Sequence, residues 1–211
     1  MAAARSSRPR PPVIGLAGGI GAGKSTVARI LAEFGCVVVD SDELGRAALR
    51  DPEIRRTIVS WWGAGMLDAS GEVDRRAVAS IVFTDASQRA RLESLTHPWI
   101  EARRLERFAA APAGARALVI DAPLLYEAGL DASCDAVVFV DADRSARVRR
   151  VMETRGWDES ELGRREESQL PLDEKRRRAH HMVRNTGDLS VLRDRVRAVL
   201  EAIVERSRQN A

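Results

Sequence analysis

Short, strongly apolar runs alternating with helical patterns predict an α/β fold, in which a parallel sheet is covered by helices on both faces to give three α/β/α layers. Three observations carry this prediction. The runs are too short for buried helices and are rich in β-branched residues. Each is followed by a segment of helical periodicity, long enough for the crossover that parallel strands need. The first run also ends in glycines that lead directly into a helix, GGIGAGKST at residues 18–26.

The elements follow in order. Residues 13–17 (VIGLA) form the first strand, and KSTVARILAEF places Val27, Ile30, Leu31 and Phe34 at helical spacing. Gly35 stops that helix, and CVVVD (36–40) is a second buried strand. ALVID (117–121) and AVVFVD (136–141) are two more, and HMVRN (181–185) is a weaker fifth. A mostly helical stretch at about 43–111 separates the second and third strands, broken at Gly63–Gly65, at Asp68–Gly71 and at Pro98. It is too long for a plain crossover, so part of it is expected to form a substrate-covering subdomain. An Arg- and Glu-rich helical stretch at 144–178 is the candidate lid, and an amphipathic helix at about 188–208 closes the chain. Ligands of such a sheet gather at the carboxyl ends of its strands.

The 211 residues suit one domain, residues 13–211, preceded by an arm at 1–12. The arm is Arg-rich and free of acids, but Pro9, Pro11 and Pro12 oppose a helix and no apolar region follows, so it reads as disordered. No apolar run is long enough to cross a bilayer. Cys36 and Cys134 each adjoin a strand and read as buried thiols rather than a disulfide or metal site, which suits a reducing, cytoplasmic setting. A net charge of +3 with few aromatic residues is a poor case for nucleic acid. Only Lys24 and Lys175 are lysines in a chain that otherwise uses arginine. A compact ammonium fits between phosphate oxygens where a planar guanidinium would not.

Gly18, Gly23, Lys24 and Ser25 satisfy G-x-x-x-x-G-K-[ST] in the strand-to-helix context that motif requires, which makes the sheet that of a P-loop NTPase. Gly19, Ile20, Gly21, Ala22, Gly23, Lys24, Ser25 and Thr26 are therefore the candidate nucleotide-binding residues. Lys24 would reach the β- and γ-phosphates of ATP and the Ser25 hydroxyl would ligate Mg²⁺. Asp121, ending the third strand, is placed like a Walker B acid and is the second candidate Mg²⁺ ligand. The motif does not choose the acceptor. DASG (68–71) matches the D-x-x-G of GTPases in form, but it reads as a surface turn and no N-K-x-D guanine reader occurs.

Asp40 and Asp42 follow the second strand, where two-residue spacing could aim both side chains at the cleft. Asp42 is the candidate group to accept or orient the proton of an attacking hydroxyl, against the alternative that it caps the helix starting at Glu43. Pro123 prevents strand pairing beyond Asp121, so Leu124, Leu125 and Tyr126 could line a substrate pocket. Among Arg147, Arg149, Arg150, Arg155, Arg164 and Arg165, one or two are expected to act on the phosphoryl group and the rest to be solvated.

Several stretches together resemble the dephospho-CoA kinase family. They are GLAGGIGAGKSTVA, VVDSDELGRA, THPWI around His97 and Pro98, DAPLLYEAG, and ESQLPLDEKRRRA leading to VRNTG with Asn185 and Gly187. The resemblance implies phosphorylation of the ribose 3′-hydroxyl of dephospho-CoA by ATP and Mg²⁺, on a five-stranded P-loop kinase sheet with a helical CoA-side region and a lid. It assigns the base to Asp42 and phosphate stabilisation to an arginine early in the helix after the fourth strand, by count Arg150. It adds Asn185 on the nucleotide side and His97, at a bend, on the substrate side. The expected partner is the small-molecule substrate, with no nucleic acid or membrane, and the expected state is a monomer or weak homo-oligomer. The chain departs from the family pattern at Ala17, where Thr is common, at His180, where an Asp is usual, and at Arg184, where an acid is typical.

Overall fold

The structure is a computed structural model that describes residues 10–210. Most of the arm, residues 1–9, lies outside the described residues. At its end Arg10 forms a two-pronged ion pair with Asp135, and the Pro12 carbonyl accepts the Leu118 N–H at 2.9 Å.

The chain forms two compact units, one of residues 10–39 with 111–210 and the other Asp40–Ala110. The first holds a five-stranded parallel sheet. Its strands are β1 (Val13–Gly18), β2 (Val37–Asp40), β3 (Leu118–Asp121), β4 (Ala136–Asp141) and β5 (His181–Arg184), in the order β2-β3-β1-β4-β5. β1 is central, with Leu16 opposite Asp121 of β3 and Ala17 opposite Phe139 of β4. Strand alternation then divides β1 between two layers. Ile14 and Leu16 pack with Val27, Ile30 and Leu31 of α1 (Lys24–Glu33) and with Leu192, Val196, Leu200 and Ile203 of α9 (Leu189–Gln209). On the opposite face Gly15 lies against Leu125 and Cys134, and α8 (Leu172–Arg178) packs on β1 and β4. Neither Cys36 nor Cys134 is in a disulfide.

The second unit is helical: α2 (Ser41–Ala48), α3 (Pro52–Trp62), α4 (Arg75–Thr84) and α5 (Ala86–Ala109). Its own small core centres on Ala48, Ile54, Ile58, Val73 and Val78. Aspartates set the helix starts. Asp51, Asp74 and Asp85 each accept two backbone N–H groups of the helix that follows, and the other Asp51 oxygen takes the Trp99 indole N–H at 2.9 Å.

Two expectations are corrected. Pro98 does not interrupt the helical stretch but lies inside the single 24-residue helix α5. Proline removes one N–H there, yet packing of Leu92, Leu95, Trp99 and Ile100 on the unit's core spans the defect. Leu125 and Tyr126 do not line an open pocket, because they are 1% and 6% exposed and belong to the core; only Leu124, at 45%, faces solvent. The breaks at Gly63 and at Asp68–Gly71 do occur, the second as a turn closed by the Gly71 N–H on the Asp68 carbonyl.

Candidate active site

Between β1 and α1 the chain turns tightly enough that the Ala22 N–H reaches the Gly19 carbonyl at 3.1 Å. Gly23 is the N-cap residue of α1 with φ +93°, no side chain caps this helix, and no acid lies in its first turn. Its amino end therefore presents uncompensated positive dipole and N–H groups, the chemistry that takes a phosphate chain. Asn185, just past β5 and 6% exposed, holds the loop in this shape. Its Nδ2 donates to the Ala22 carbonyl at 2.9 Å, its Oδ1 accepts the Gly187 N–H, and its own backbone N–H bonds the Asp141 carbonyl.

A Cβ on Gly23 would stand 2.3 Å from Asn185 Nδ2, and its φ is one that side chains avoid. Gly23→Ala is thus expected to displace the loop and weaken ATP binding by at least about tenfold, since left-handed backbone alone costs about 1–2 kcal/mol in non-glycine residues. Nucleotide titration checks this, and wild-type affinity in the variant would contradict it.

Along α6 (Arg144–Arg155), Arg144, Arg147 and Arg150 recur every third position and so share a helix face. Arg147 is buried, donating to the Ile20 carbonyl at 3.3 Å and pairing closely with Glu166 of α7 (Glu159–Glu167). Arg144 bridges Glu159 at 2.9 Å and Glu166 at 3.1 Å. Arg150 differs. Its Nη1 donates to the Gly21 and Ala22 carbonyls at 3.2 and 3.3 Å, and it has no carboxylate partner among the described residues. Burial, then the neighbouring Arg149 charge, lower its pKa from the usual value. An uncompensated cation against the phosphate loop is complementary to an anion delivered there. Arg149 is exposed, Arg155 and Arg165 lie over the Trp157 ring, and Arg164 pairs with Glu161.

Ser25 lies in the first turn of α1 and is exposed; Asp121 ends β3 on the neighbouring strand. One hydroxyl and one carboxylate are the sparse oxygen set that Mg²⁺ accepts when phosphates complete its shell, so the residues present fit that ion.

In the helical unit, Asp40 rather than Asp42 is the cap of α2. Asp40 Oδ1 accepts the N–H groups of Asp42 and Glu43 at 2.8 and 3.0 Å. The strand-alternation argument for two parallel carboxylates fails, because the helix begins at Ser41. Asp42 is exposed, and its carboxylate makes no hydrogen bond or ion pair among the described residues. His97 is exposed on α5. Pro123 and Leu124 follow Asp121 in the sheet unit, half-buried and exposed respectively. Sequence reasoning did not find the Arg147–Glu166 latch or the clamp role of Asn185; the three-residue spacing of arginines along α6 was the available signal for the first.

The family model for dephospho-CoA kinase matches residues 12–190. The chain belongs to the dephospho-CoA kinase family. It is 39% identical to the dephospho-CoA kinase of Geobacillus kaustophilus over 89% of this chain and 94% of that protein. It is 41% identical to that of Syntrophotalea carbinolica over 91% and 92%. A crystal structure from Thermus thermophilus, 35% identical, superposes with a TM-score of 0.79 over 92% of this chain and 98% of that one. The fold is that of the P-loop kinases.

The departures from the dephospho-CoA kinase pattern find simple places in the sheet. His180 Nδ1 accepts the Val137 N–H at 3.0 Å and the His180 backbone N–H donates to the Val137 carbonyl, so the imidazole supplies the acceptor that a carboxylate could have offered. Arg184 pairs with Asp143 at 3.3 Å, and Ala17 is buried beside β4.

Proposed function

We propose that this chain transfers the γ-phosphoryl group of ATP to the ribose 3′-hydroxyl of dephospho-CoA, giving coenzyme A and ADP. The observation that carries this reading is Arg150, an arginine without a carboxylate partner among the described residues, set against the phosphate-loop carbonyls in a chain of this family. The loop from Gly19 to Thr26 would cradle the triphosphate with backbone N–H groups, and the Lys24 ammonium would bind its β- and γ-oxygens. Ser25 and Asp121 would hold Mg²⁺, which supplies charge neutralisation on the phosphate chain when bound. Arg150 would neutralise the phosphoryl group in transit, and Asp42 would accept or orient the proton of the acceptor hydroxyl.

Asn185 would serve nucleotide binding by holding the loop shape. His97, Pro123 and Leu124 are assigned to the substrate side, and the transfer is direct, without a phosphoenzyme. Among the described residues no helix is long and apolar enough to cross a membrane. The buried Cys36 thiol, with its pKa pushed up to about 11 by burial, suits the reducing cytoplasm as the working compartment of a monomer or weak homo-oligomer.

An acceptor screen tests the proposal. Dephospho-CoA is expected to stimulate ADP formation far above the rate with water alone. Equal rates would contradict the reading, and stimulation only by a different small hydroxyl compound would reassign the acceptor.

A further inference from the structure

The two lysines of this arginine-rich chain occupy very different places. Lys24 is in the phosphate loop; Lys175, on α8, is 1% exposed. Its ammonium is 2.8 Å from Glu127 Oε1 and 3.1 Å from the side-chain oxygen of Gln169. The same Glu127 oxygen accepts the Leu170 N–H at 2.8 Å. Burial disfavours the Glu127 carboxylate, but the hydrogen bonds from Lys175 and Leu170 outweigh it and hold its pKa below the usual range. One carboxylate thus gathers an ammonium and a backbone amide, and the ammonium gathers an amide oxygen. All these groups belong to two stretches, the loop after Asp121 and the return from α7 into α8.

That return segment touches the phosphate loop. The Leu172 methyl carbons lie 3.1 and 3.3 Å from where a Cβ on Gly19 would be, and Arg147 Nη1 lies 3.1 Å from the same point. Glu166, at the other end of the segment, is paired with Arg147. We propose that Glu127 and Lys175 are positioning residues for phosphoryl transfer: their ion pair, buried at its Lys175 end, fixes the Gln169–Leu172 return against Gly19 and ties it to the loop that carries Asp121. A purely stabilising role is the weaker account, because an ion pair with one end buried and its carboxylate partly exposed is often replaceable by apolar side chains of similar volume without loss of stability. Such a replacement would leave the Leu170 N–H and the Gln169 oxygen without partners, and so would release the segment rather than unfold the sheet. Lysine suits the site because it offers a compact charge in a closed space that a guanidinium would overfill.

This inference rests on the kinase reading above, and its test separates the two. The double variant Glu127→Leu/Lys175→Met roughly keeps the side-chain volumes and removes both charges and the acceptor of the Leu170 N–H. Its kcat for dephospho-CoA phosphorylation is expected to fall by about ten- to hundredfold, the scale of a small misplacement of reacting groups, with ATP affinity nearly unchanged. ADP released per phosphorylated acceptor should rise above the wild-type ratio as water gains entry, and the Leu170 amide should exchange faster with solvent. Wild-type kcat and coupling ratio in the variant would overturn the proposal, as would losses matched fully by lowered thermal stability with unchanged Leu170 exchange. Should the double variant fail to fold, Glu127→Ala alone carries the same readouts, since truncating this partly exposed side chain removes the acceptor of both the Leu170 N–H and the Lys175 ammonium. Absence of dephospho-CoA phosphorylation by the wild-type protein would instead defeat the kinase reading, and amide exchange at Leu170 would still decide whether the pair fixes the segment.

Discussion

Replacing Asp42 by Asn is expected to lower kcat by about a hundredfold or more, the usual scale for losing a positioned base, while ATP binds with nearly wild-type affinity. The structure makes this substitution unusually clean. Capping of α2 belongs to Asp40, whose oxygen holds the N–H groups of Asp42 and Glu43 and is untouched by the change. The Asp42 carboxylate is exposed and makes no hydrogen bond or ion pair among the described residues, so its loss should leave the unfolding transition where it was. Steady-state kinetics with ATP and dephospho-CoA, paired with a nucleotide titration, check the prediction. Near-normal turnover would remove Asp42 from the chemistry. A large loss of stability would show that its role is structural.

Arg150→Met is expected to reduce kcat by at least about a thousandfold, as removal of an arginine that stabilises a phosphoryl group in transit does in related transfers. Methionine retains much of the aliphatic stem, so the comparison isolates the guanidinium. Arg150→Lys should restore little, because a compact ammonium cannot keep the Nη1 contacts to the Gly21 and Ala22 carbonyls and also present the second, coplanar guanidinium nitrogen to phosphate. Arg147 provides the control within the same helix. Its guanidinium is already engaged by Glu166 and the Ile20 carbonyl, so its removal should loosen α7 more than it slows chemistry. Single-turnover measurements separate these effects, and a loss below about tenfold in Arg150→Met would shift the phosphate-stabilising role elsewhere.

The fold was legible because its signals are local. Four of the strands are short apolar runs with Gly, Asp or Pro near an end, and the weak fifth run became β5 because its Val183 enters the same core as Ile14 and Leu16. The phosphate loop was equally legible, since its glycines, lysine and serine are contiguous. Features that depend on distant partners were harder to read. Pro98 looked like a break because local preference opposes proline in a helix, whereas packing of Trp99 and Ile100 on another part of the chain decides the matter. Asp40 and Asp42 were hard to apportion because the strand-to-helix junction falls between them, and its exact residue determines which one caps. Tyr126 and Leu125 looked available for substrate because Pro123 ends pairing, but the chain then folds back onto Gly15. The Glu127–Lys175 pair joins motifs that are far apart in sequence, and nothing in either motif alone names the other. The scarcity of lysine was the one signal that both sites shared.

The central claim is that the phosphate held at GGIGAGKST passes to a ribose hydroxyl and not to water. Following the label from ATP carrying a radioactive γ-phosphate, in the presence of dephospho-CoA, tests it most directly. The account predicts that the label appears at the 3′-position of coenzyme A in step with ADP. Label released as inorganic phosphate, or found at any other position of the acceptor, would contradict it.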